Sequence, residues 1–528
     1  MSFLLWTLPV LMAFALTPWI INSFPGRRSL VGSFLALSLF IGYFLSWLGI
    51  WQAVPATVVS LIWLLAMLVP MGWRLVRGTA APANQKACRP YSGILFTLLL
   101  VVAIAPIYSA PVHNLPEPDG PYDVGMKEFV VVDPTRPGLR GVAADTPRKI
   151  LVRAYYPAGN IDGLMPRPYL WPHEAKIRAE AMAALGQPGF MDSYKKFVAT
   201  NTYEDAPIAD GKFPMVLFSH GFTGPMAENS FIVENMVSRG HVVFMASHPG
   251  NTRAVIYPDG SYKTIDKSIA EAMQIAFAKA KARAKAMAGG APTYASLDEY
   301  WDSGGPFLAM ELPTFSDAKV IWRDDMLAIA DALFAQEMGP EIAPIWQAVD
   351  SSKFAYVGMS FGGSTAVTTC EVDPRCSLAI SLDGPNFDRS LVNKAVRMPV
   401  LSLQASAGMP GSDFLADIGL GSGVDLSYEP IAQAGQTGLV TRVTIRDTKH
   451  LSFTDNASFW RGPIRAVFMV GALPEAETNA AINGLVGAYL DEHFQGKTGA
   501  VADLVAADDN AYTYSLDAVA QWARDKGL

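Results

Sequence analysis

The sequence predicts an α/β domain, built on a mostly parallel sheet flanked by helices and preceded by an all-helical membrane part. Three observations predict this arrangement. Short β-branched runs alternate with helical stretches, charge-free apolar stretches are confined to the first part of the chain, and a glycine-flanked serine follows one predicted strand. Alternating strands and helices favour βαβ units and therefore a parallel sheet.

Composition narrows the class of protein before any motif is considered. Of 528 residues, 51% are hydrophobic, and the mean hydropathy is +0.22, which is high for a wholly soluble protein. A formal net charge of -7 argues against a nucleic-acid-binding protein, which needs a concentrated basic face. The three cysteines are too few for a disulfide scaffold and lack zinc-ligand spacing. No cofactor is expected. Cys370 and Cys376 could form a disulfide in an oxidising compartment or remain buried thiols.

The first part of the chain contains four apolar stretches. Residues 1–26, 29–73 and 90–116 contain no Asp, Glu, Lys or Arg. A helix needs about 20 mostly apolar residues to cross a bilayer. The stretches that approach this length are residues 3–21, 30–50, 57–73 and 92–108. Residues 1–110 are therefore expected to form four transmembrane helices.

Basic residues in the short loops predict the orientation of these spans. Arg27 and Arg28 follow the first span, and a basic loop at residues 74–89 separates the third from the fourth. Such loops usually face the cytoplasm, so the rest of the chain is expected on the extracytoplasmic (periplasmic or extracellular) side. A cleaved signal peptide is the alternative for the first stretch, but it lacks a basic start. The spans are interpreted as an anchor, and a role in transporting or sensing a lipid stays open.

A proline-rich linker at residues 111–124 precedes the predicted α/β domain, which covers residues 125–497 and is followed by a C-terminal tail, residues 498–528. The predicted strands are residues 149–155, 215–218, 241–246, 354–357, 378–382, 399–403 and 439–445. The predicted helices are residues 228–238, 317–334, 364–370 and 479–494. An Ala- and Lys-rich helical insertion at 263–313 interrupts the alternation. It is a solvated helix, or else a lid or a surface that meets anionic lipid headgroups.

The glycine-flanked serine lies between a predicted strand and a predicted helix. Gly358, Ser360 and Gly362 form a G-x-S-x-G pattern after residues 354–357 and before residues 364–370. A sharp strand-to-helix turn leaves room only for glycine two positions before and two positions after the serine. We therefore predict a nucleophile elbow that presents Ser360.

A serine hydroxyl needs a base to take its proton, and His450 is the best candidate among seven histidines. It follows the predicted strand 439–445 by a short loop and lies after the serine, in the chain order serine, acid, histidine. His220 and His248 precede the serine, so we expect a structural or loop-shaping role for them. The other four histidines are expected to be linker, surface or packing residues.

The base in turn needs a carboxylate to orient it, and two aspartates are candidates. Asp383 directly follows the predicted strand 378–382, which places it at the carboxyl edge of the sheet. Asp413, on the loop after the next strand, is the alternative. A lone aspartate after a strand is ordinarily only a turn residue.

Two backbone amides are expected to stabilise the oxyanion that forms during acyl transfer. Phe361 follows the nucleophile and supplies the first amide. Phe222, flanked by Gly221 and Thr223-Gly224 after an apolar strand, is the most plausible second donor. The His-Gly pair before it could also be an ordinary turn.

Together these motifs resemble the platelet-activating-factor acetylhydrolase family and its bacterial lipase and esterase relatives. The resemblance rests on residues 218–222, 358–363, 382–384 and 450–455, extends to 153–157 and 238–243, and covers roughly residues 125–495. It implies an α/β-hydrolase fold, metal-free hydrolysis of carboxylic esters, including short or oxidised acyl chains of phospholipids, and Asp383 as the acid. The four spans and the insertion depart from the family's pattern, which leaves substrate preference open.

The sequence therefore predicts a membrane-anchored serine esterase of the α/β-hydrolase type that acts through an acyl-enzyme on phospholipid or lipid-like esters. Two alternatives stay open. One is an esterase for soluble or polymeric esters. The other is a lipid-binding or lipid-sensing pseudo-hydrolase, which would have no need to keep a complete set of serine, histidine and aspartate.

Overall fold

A computed structural model describes residues 39–78, 90–275, 278, 313–407 and 427–527, apart from the single residues 387, 392 and 514. The strands are β1 Asp123–Asp133, β2 Arg148–Ala158, β3 Thr202–Glu204, β4 Phe213–Ser219, β5 Val242–Ala246, β6 Ala254–Ile256, β7 Tyr262–Thr264, β8 Val349–Met359, β9 Leu378–Leu382, β10 Val400–Ala407, β11 Val440–Lys449 and β12 Ala511–Tyr512. The helices are α1 Val54–Arg77, α2 Pro90–Ser109, α3 Pro172–Ala184, α4 Ser230–Ser238, α5 Pro313–Phe334, α6 Ala343–Gln347, α7 Phe361–Val372, α8 Asn456–Phe459, α9 Ile464–Val467, α10 Glu475–Gln495, α11 Ala500–Ala507 and α12 Asp517–Lys526.

One large mixed sheet organises the α/β domain. Across the described residues it has ten strands in the order β12-β11-β10-β9-β8-β4-β5-β2-β1-β3. The strands from β11 to β5 in that order run parallel to one another, whereas β2 is antiparallel to β5 and β12 to β11. Parallel strands place their carboxyl ends at one edge, so the loops after β4, β8, β9 and β11 meet there.

Helices cover both faces of this sheet, as buried parallel strands require. One apolar core packs α4 and α10 against one face, and it includes Phe231 and Leu485. The other core packs α5 and α7 against the opposite face, and it includes Met326 and Val367. The prediction of an α/β-hydrolase fold, a mostly parallel sheet flanked by helices, is confirmed.

The predicted strands all occur, with somewhat different ends. Residues 378–382 match β9 at both ends, and residues 354–357 are the buried part of a longer β8. Two strands were not predicted: β1, which pairs with β2 along its whole length, and the short β12, which pairs with β11. Residues 498–528, predicted as a C-terminal tail, thus include α11, α12 and an edge strand of the sheet.

The amino-terminal helices contact the α/β domain directly. Ser193 donates a hydrogen bond to the carbonyl of Gly49, and the Trp51 ring meets the Phe190 ring edge-on at 5.8 Å. Gln52 donates to the carbonyl of Ala110 at 2.9 Å. The first two contacts hold the turn before α1 against the segment around residues 189–197, and the third joins this turn to the residue that follows α2.

The predicted four-span membrane domain is without support. Within the parts of the chain that the structure describes, no helix is long and apolar enough to cross a membrane. The predicted spans 57–73 and 92–108 lie in α1 and α2, and residues 39–47 of the second span are helical. The first span, residues 3–21, and residues 30–38 lie outside the described residues.

Candidate active site

The turn between β8 and α7 carries Ser360 in a strained conformation. Its φ of 56° and ψ of -120° lie in a region that costs a residue with a side chain roughly 1–3 kcal/mol. A methyl group on Gly358 would lie 2.2 Å from the Gly362 carbonyl oxygen, and one on Gly362 would lie 2.2 Å from the Ser219 carbonyl oxygen. Both glycines of the predicted elbow are therefore required by close backbone packing. The Ser360 amide donates to the Leu382 carbonyl at 2.8 Å and thereby fixes the turn against β9.

The structure brings together the three side chains predicted as a triad. His450, which directly follows β11, places Nε2 2.8 Å from Ser360 Oγ. Its Nδ1 lies 2.6 Å from Asp383 Oδ2. A carboxylate can only accept, so Nδ1 carries the proton and the Nε2 lone pair faces the serine hydroxyl. This is the tautomer that a general base needs.

Backbone contacts orient Asp383 towards the histidine. The residue has a φ of 47°, which turns the chain sharply after β9. Its amide donates to the Leu403 carbonyl at 2.7 Å, and its second carboxylate oxygen, Oδ1, accepts from the Ala405 amide at 2.8 Å. Oδ2 is thus directed at His450, while the alternative acid, Asp413, lies outside the described residues.

The loop after β4 lies beside the nucleophile. A methyl group on Gly221 would lie 3.6 Å from Ser360 Cβ, so this loop borders the serine. The rings of Phe222 and Phe361, the two residues predicted to supply oxyanion amides, have centroids 4.9 Å apart. The two residues therefore lie together beside the nucleophile, and the roles of their amides stay a prediction.

His220 and His248 anchor this loop from below, in agreement with the loop-shaping role expected for them. His248 Nε2 lies 2.9 Å from Ser219 Oγ and Nδ1 lies 3.0 Å from Asp325 Oδ2. His220 Nε2 lies 2.8 Å from Thr252 Oγ1. Burial lowers the pKa of His220 to about 3 and also lowers that of His248, so both rings are neutral at pH 7.

A buried ion pair behind these histidines was missed from the sequence. Arg148 donates to both carboxylate oxygens of Asp325, at 2.6 and 2.7 Å, and both side chains are fully buried. Burial alone would raise the pKa of Asp325, but Arg148 and His248 hold it well below its usual value. Trp322 stacks on His248 with ring centroids 3.8 Å apart. The ion-paired residues are 177 positions apart, so no local pattern could indicate their contact.

Ser219, His248 and Asp325 form a second hydrogen-bonded line, but its environment differs from that of the first. All three residues are fully buried, whereas Ser360 and His450 are 9% and 7% exposed. Of these two lines, only the one that contains Ser360 is reached by solvent.

Cys370 and Cys376 form a disulfide that links the last turn of α7 to the segment before β9. The sequence left this pairing open. In the described part of the chain, no group of three or more His, Cys, Asp or Glu side chains is arranged to hold a metal ion.

Residues 107–287 match the family model of platelet-activating factor acetylhydrolase, isoform II. The match includes the loop after β4 and ends before Ser360, so the arrangement of the triad rests on the structure alone. No curated protein matches the chain.

Among solved structures, 216 chains match. One is the ferulic acid esterase from Streptomyces cinnamoneus, with 19% sequence identity and a TM-score of 0.50, over 74% of this chain and 94% of that one. At this identity the likeness concerns the fold. The family match supports a carboxylic ester hydrolase similar over residues 107–287 to platelet-activating factor acetylhydrolase, isoform II, and the solved structure supports the α/β-hydrolase fold.

Proposed function

We propose that the chain hydrolyses carboxylic esters through an acyl-enzyme on Ser360, with His450 as general base and Asp383 as its orienting acid. The observation that carries this proposal is the continuous line of hydrogen bonds from Ser360 Oγ through the imidazole to the Asp383 carboxylate, at 2.8 and 2.6 Å. These distances lie within the range over which a general base takes a proton.

In the first half-reaction, His450 Nε2 takes the hydroxyl proton as Ser360 Oγ forms a bond to the ester carbonyl carbon. The carbonyl oxygen gains a negative charge, which the amides of Phe222 and Phe361 stabilise; one such donor is worth about 10²–10³ in kcat. The carbon–oxygen bond to the alcohol then breaks, and the imidazolium returns its proton to the departing oxygen.

In the second half-reaction, His450 deprotonates a water molecule that attacks the acyl carbon. The carboxylic acid is released and Ser360 recovers its proton. Asp383 stays ionised throughout and stabilises the imidazolium in both steps.

The preferred substrates are proposed to be phospholipid or lipid-like esters. The match to the acetylhydrolase family supports this class, as does the apolar border of the nucleophile, where Phe222, Phe361 and the buried Trp322 pack together. Contact between an acyl chain and these rings would remove apolar surface from water, which favours binding. Soluble or polymeric esters are the alternative substrates.

We propose further that the amino-terminal part holds the α/β domain at a membrane, with the site on the extracytoplasmic side. The charge-free stretches of sequence support association with a bilayer, as do the exposed apolar side chains of Phe40, Tyr43 and Trp47. The disulfide is typical of an oxidising compartment. Alkaline carbonate extraction of membranes tests this, because an integral protein stays in the pellet and a peripheral one is released.

Hydrolysis of p-nitrophenyl acetate by purified Ser360→Ala tests the reaction itself. The variant should lose turnover while its circular dichroism and melting temperature match those of the parent. Turnover that persists in this variant would exclude the mechanism, and a parent protein without activity on any ester would favour a pseudo-hydrolase.

A ladder of acyl lengths, presented both as phosphatidylcholines and as p-nitrophenyl esters, tests the substrate class. We expect a higher kcat/KM for the phospholipids at equal acyl length. A consistent preference for the soluble esters would exclude the lipid proposal without affecting the reaction.

A further inference from the structure

Glu228 lies directly under the loop that borders the nucleophile. Its Oε1 accepts the amide hydrogen of Gly221 at 2.6 Å, a short and charge-assisted contact. A methyl group on Gly221 would lie 2.8 Å from this oxygen and 3.6 Å from Ser360 Cβ, so the glycine separates the carboxylate from the serine. The bond therefore fixes the amide immediately before Phe222.

The carboxylate also fills the space beneath Gly224, at the other end of the loop. A methyl group there would lie 2.2 Å from Glu228 Oε2, so the side chain packs against the backbone on both sides of Phe222. Gly224 closes the turn by donating to the Gly221 carbonyl at 3.0 Å, and Thr223 adopts a φ of 61°. The Glu228 side chain therefore contacts the strained turn at both of its ends, Gly221 and Gly224.

The backbone around Glu228 binds the segment that carries the catalytic histidine. The Glu228 carbonyl accepts from the Asp455 amide at 2.7 Å, and Asn229 donates to the Phe453 carbonyl at 2.7 Å. The Asp455 carboxylate in turn accepts from the amides of Ser230 and Phe231 at the start of α4. Glu228 therefore connects the loop beside Ser360 to the segment that begins at His450.

Burial raises the pKa of Glu228 to about 7, although the Gly221 amide and the positive charges of Arg253 and Arg178 favour its ionised form. The nearby carboxyl of Asp455, whose own pKa burial raises to about 6, opposes ionisation. At pH 8 Glu228 is mostly ionised and accepts the Gly221 hydrogen as a carboxylate.

We propose that Glu228 is a positioning residue whose carboxylate, by holding the Gly221 amide, aims the Phe222 amide at the oxygen of the ester carbonyl that Ser360 attacks. This rests on the proposed function, because only acyl transfer at Ser360 develops charge on that oxygen. The role concerns the transition state, so Glu228 should affect kcat and leave KM nearly unchanged.

Glu234, on the same segment of chain, is the matched control. Burial raises its pKa to about 7 as well, but it accepts hydrogen bonds from Asn201 and Thr202, away from the serine. Substitution of Glu234 therefore removes a buried carboxyl of the same kind without changing the loop beside Ser360.

The test uses the full chain at pH 8 with p-nitrophenyl acetate. Glu228→Met fills a similar volume but cannot accept the Gly221 hydrogen, and misplacement of one oxyanion donor costs on the order of 10² in kcat. Glu228→Gln keeps a neutral acceptor, so its kcat should stay within about tenfold of the parent. Glu234→Gln should leave kcat unchanged.

Three results would overturn the inference. Glu228→Met with a parental melting temperature and a kcat within twofold of the parent would show that the bond does not position the loop. A folded Glu228→Gln as impaired as Glu228→Met would show that hydrogen-bond acceptance is not what the site needs. A kcat loss in Glu234→Gln equal to that in Glu228→Met would indicate a general effect on the fold.

If Glu228→Met does not fold, Glu228→Ala is used in the same assay. A kcat loss on the order of 10² supports the inference, and a kcat within twofold of the parent overturns it. The activity of Ser360→Ala distinguishes failure of the role inferred for Glu228 from failure of the proposed function. If Ser360→Ala is inactive and Glu228→Met is fully active, only the role of Glu228 falls. If Ser360→Ala is active, the mechanism and the role of Glu228 fall together.

Discussion

Gly362→Ala should impair both activity and stability, because the added methyl group meets two rigid carbonyls. It would lie 2.2 Å from the Ser219 carbonyl oxygen and 2.3 Å from that of His220. Ordinary contact begins at 3.4 Å, so roughly 1.2 Å of separation is missing at the closer atom. Both atoms are backbone, so the loop after β4 has to move away from Ser360.

A displacement of about 1 Å near reacting groups costs on the order of 10² in rate, so kcat on p-nitrophenyl acetate should fall about 100-fold. Overpacking of a tight site should also lower the free energy of unfolding by about 1–3 kcal/mol, measured by urea titration. Ala is otherwise favoured over Gly in a helix, so propensity alone predicts the opposite sign for stability.

Gly484→Ala is the control for this substitution. Gly484 also lies inside a helix, α10, but a methyl group there would meet only Leu504 Cδ1 at an ordinary 3.7 Å. This variant should keep parental kcat and gain up to about 1 kcal/mol of stability. A Gly362→Ala protein with parental kcat and stability would refute the close packing described at the elbow.

Three further predictions concern stability. Asp325→Asn should lower the free energy of unfolding in urea by about 3–5 kcal/mol, because it leaves a buried guanidinium uncompensated. Asp324→Asn, at a partly exposed neighbouring pair, should change it by less than about 1 kcal/mol, and equal effects would contradict the ion-pair account. Burial raises the folded-state pKa of Glu234 from 4.5 to about 7, so its favourable contribution to stability is complete below pH 4.5 and is lost as the pH rises through 7. Urea titrations across this range should show a decline in the free energy of unfolding that Glu234→Gln reduces. An unchanged decline in the variant would refute the shift. Reduction of the disulfide between Cys370 and Cys376 should cost about 2 kcal/mol by loop entropy, and an unchanged urea midpoint after reduction would contradict this.

The sequence predicted the parallel part of the sheet because each of its strands is a buried, β-branched run that stands out locally. β9 was predicted at both ends, since Leu378–Leu382 is apolar except for Ser381 and an aspartate follows it. β1 was missed because it lies beside the proline-rich linker, and its eleven residues mix polar and apolar positions. β12 has two residues, too few for any pattern to identify.

The candidate site was predicted more fully than the fold around it. An elbow leaves a local signature, because Gly358 and Gly362 pack against backbone, and the chain order then narrowed the base and the acid to His450 and Asp383. The supporting residues left no such trace. Glu228 contacts Gly221 from a different element, and Asp325 contacts His248 from a distant part of the chain. No local pattern therefore marks either residue.

The amino-terminal part shows where composition alone is insufficient. Residues 57–73 and 92–108 are charge-free, which led to the prediction of spans, and both are helical in the structure. No helix of the described residues is both long and apolar enough to cross a membrane. The contacts of Gly49 and Trp51 with the α/β domain depend on tertiary packing, which periodicity does not reveal.

Mass-spectrometric mapping of a fluorophosphonate adduct tests the central claim most directly. The reagent forms a covalent bond only with a nucleophile whose proton is removed by a neighbouring base. We predict a single adduct on the peptide that contains Ser360, with labelling slowed by several orders of magnitude in His450→Ala. An adduct on another residue, or undiminished labelling of Ser360 without His450, would contradict the account.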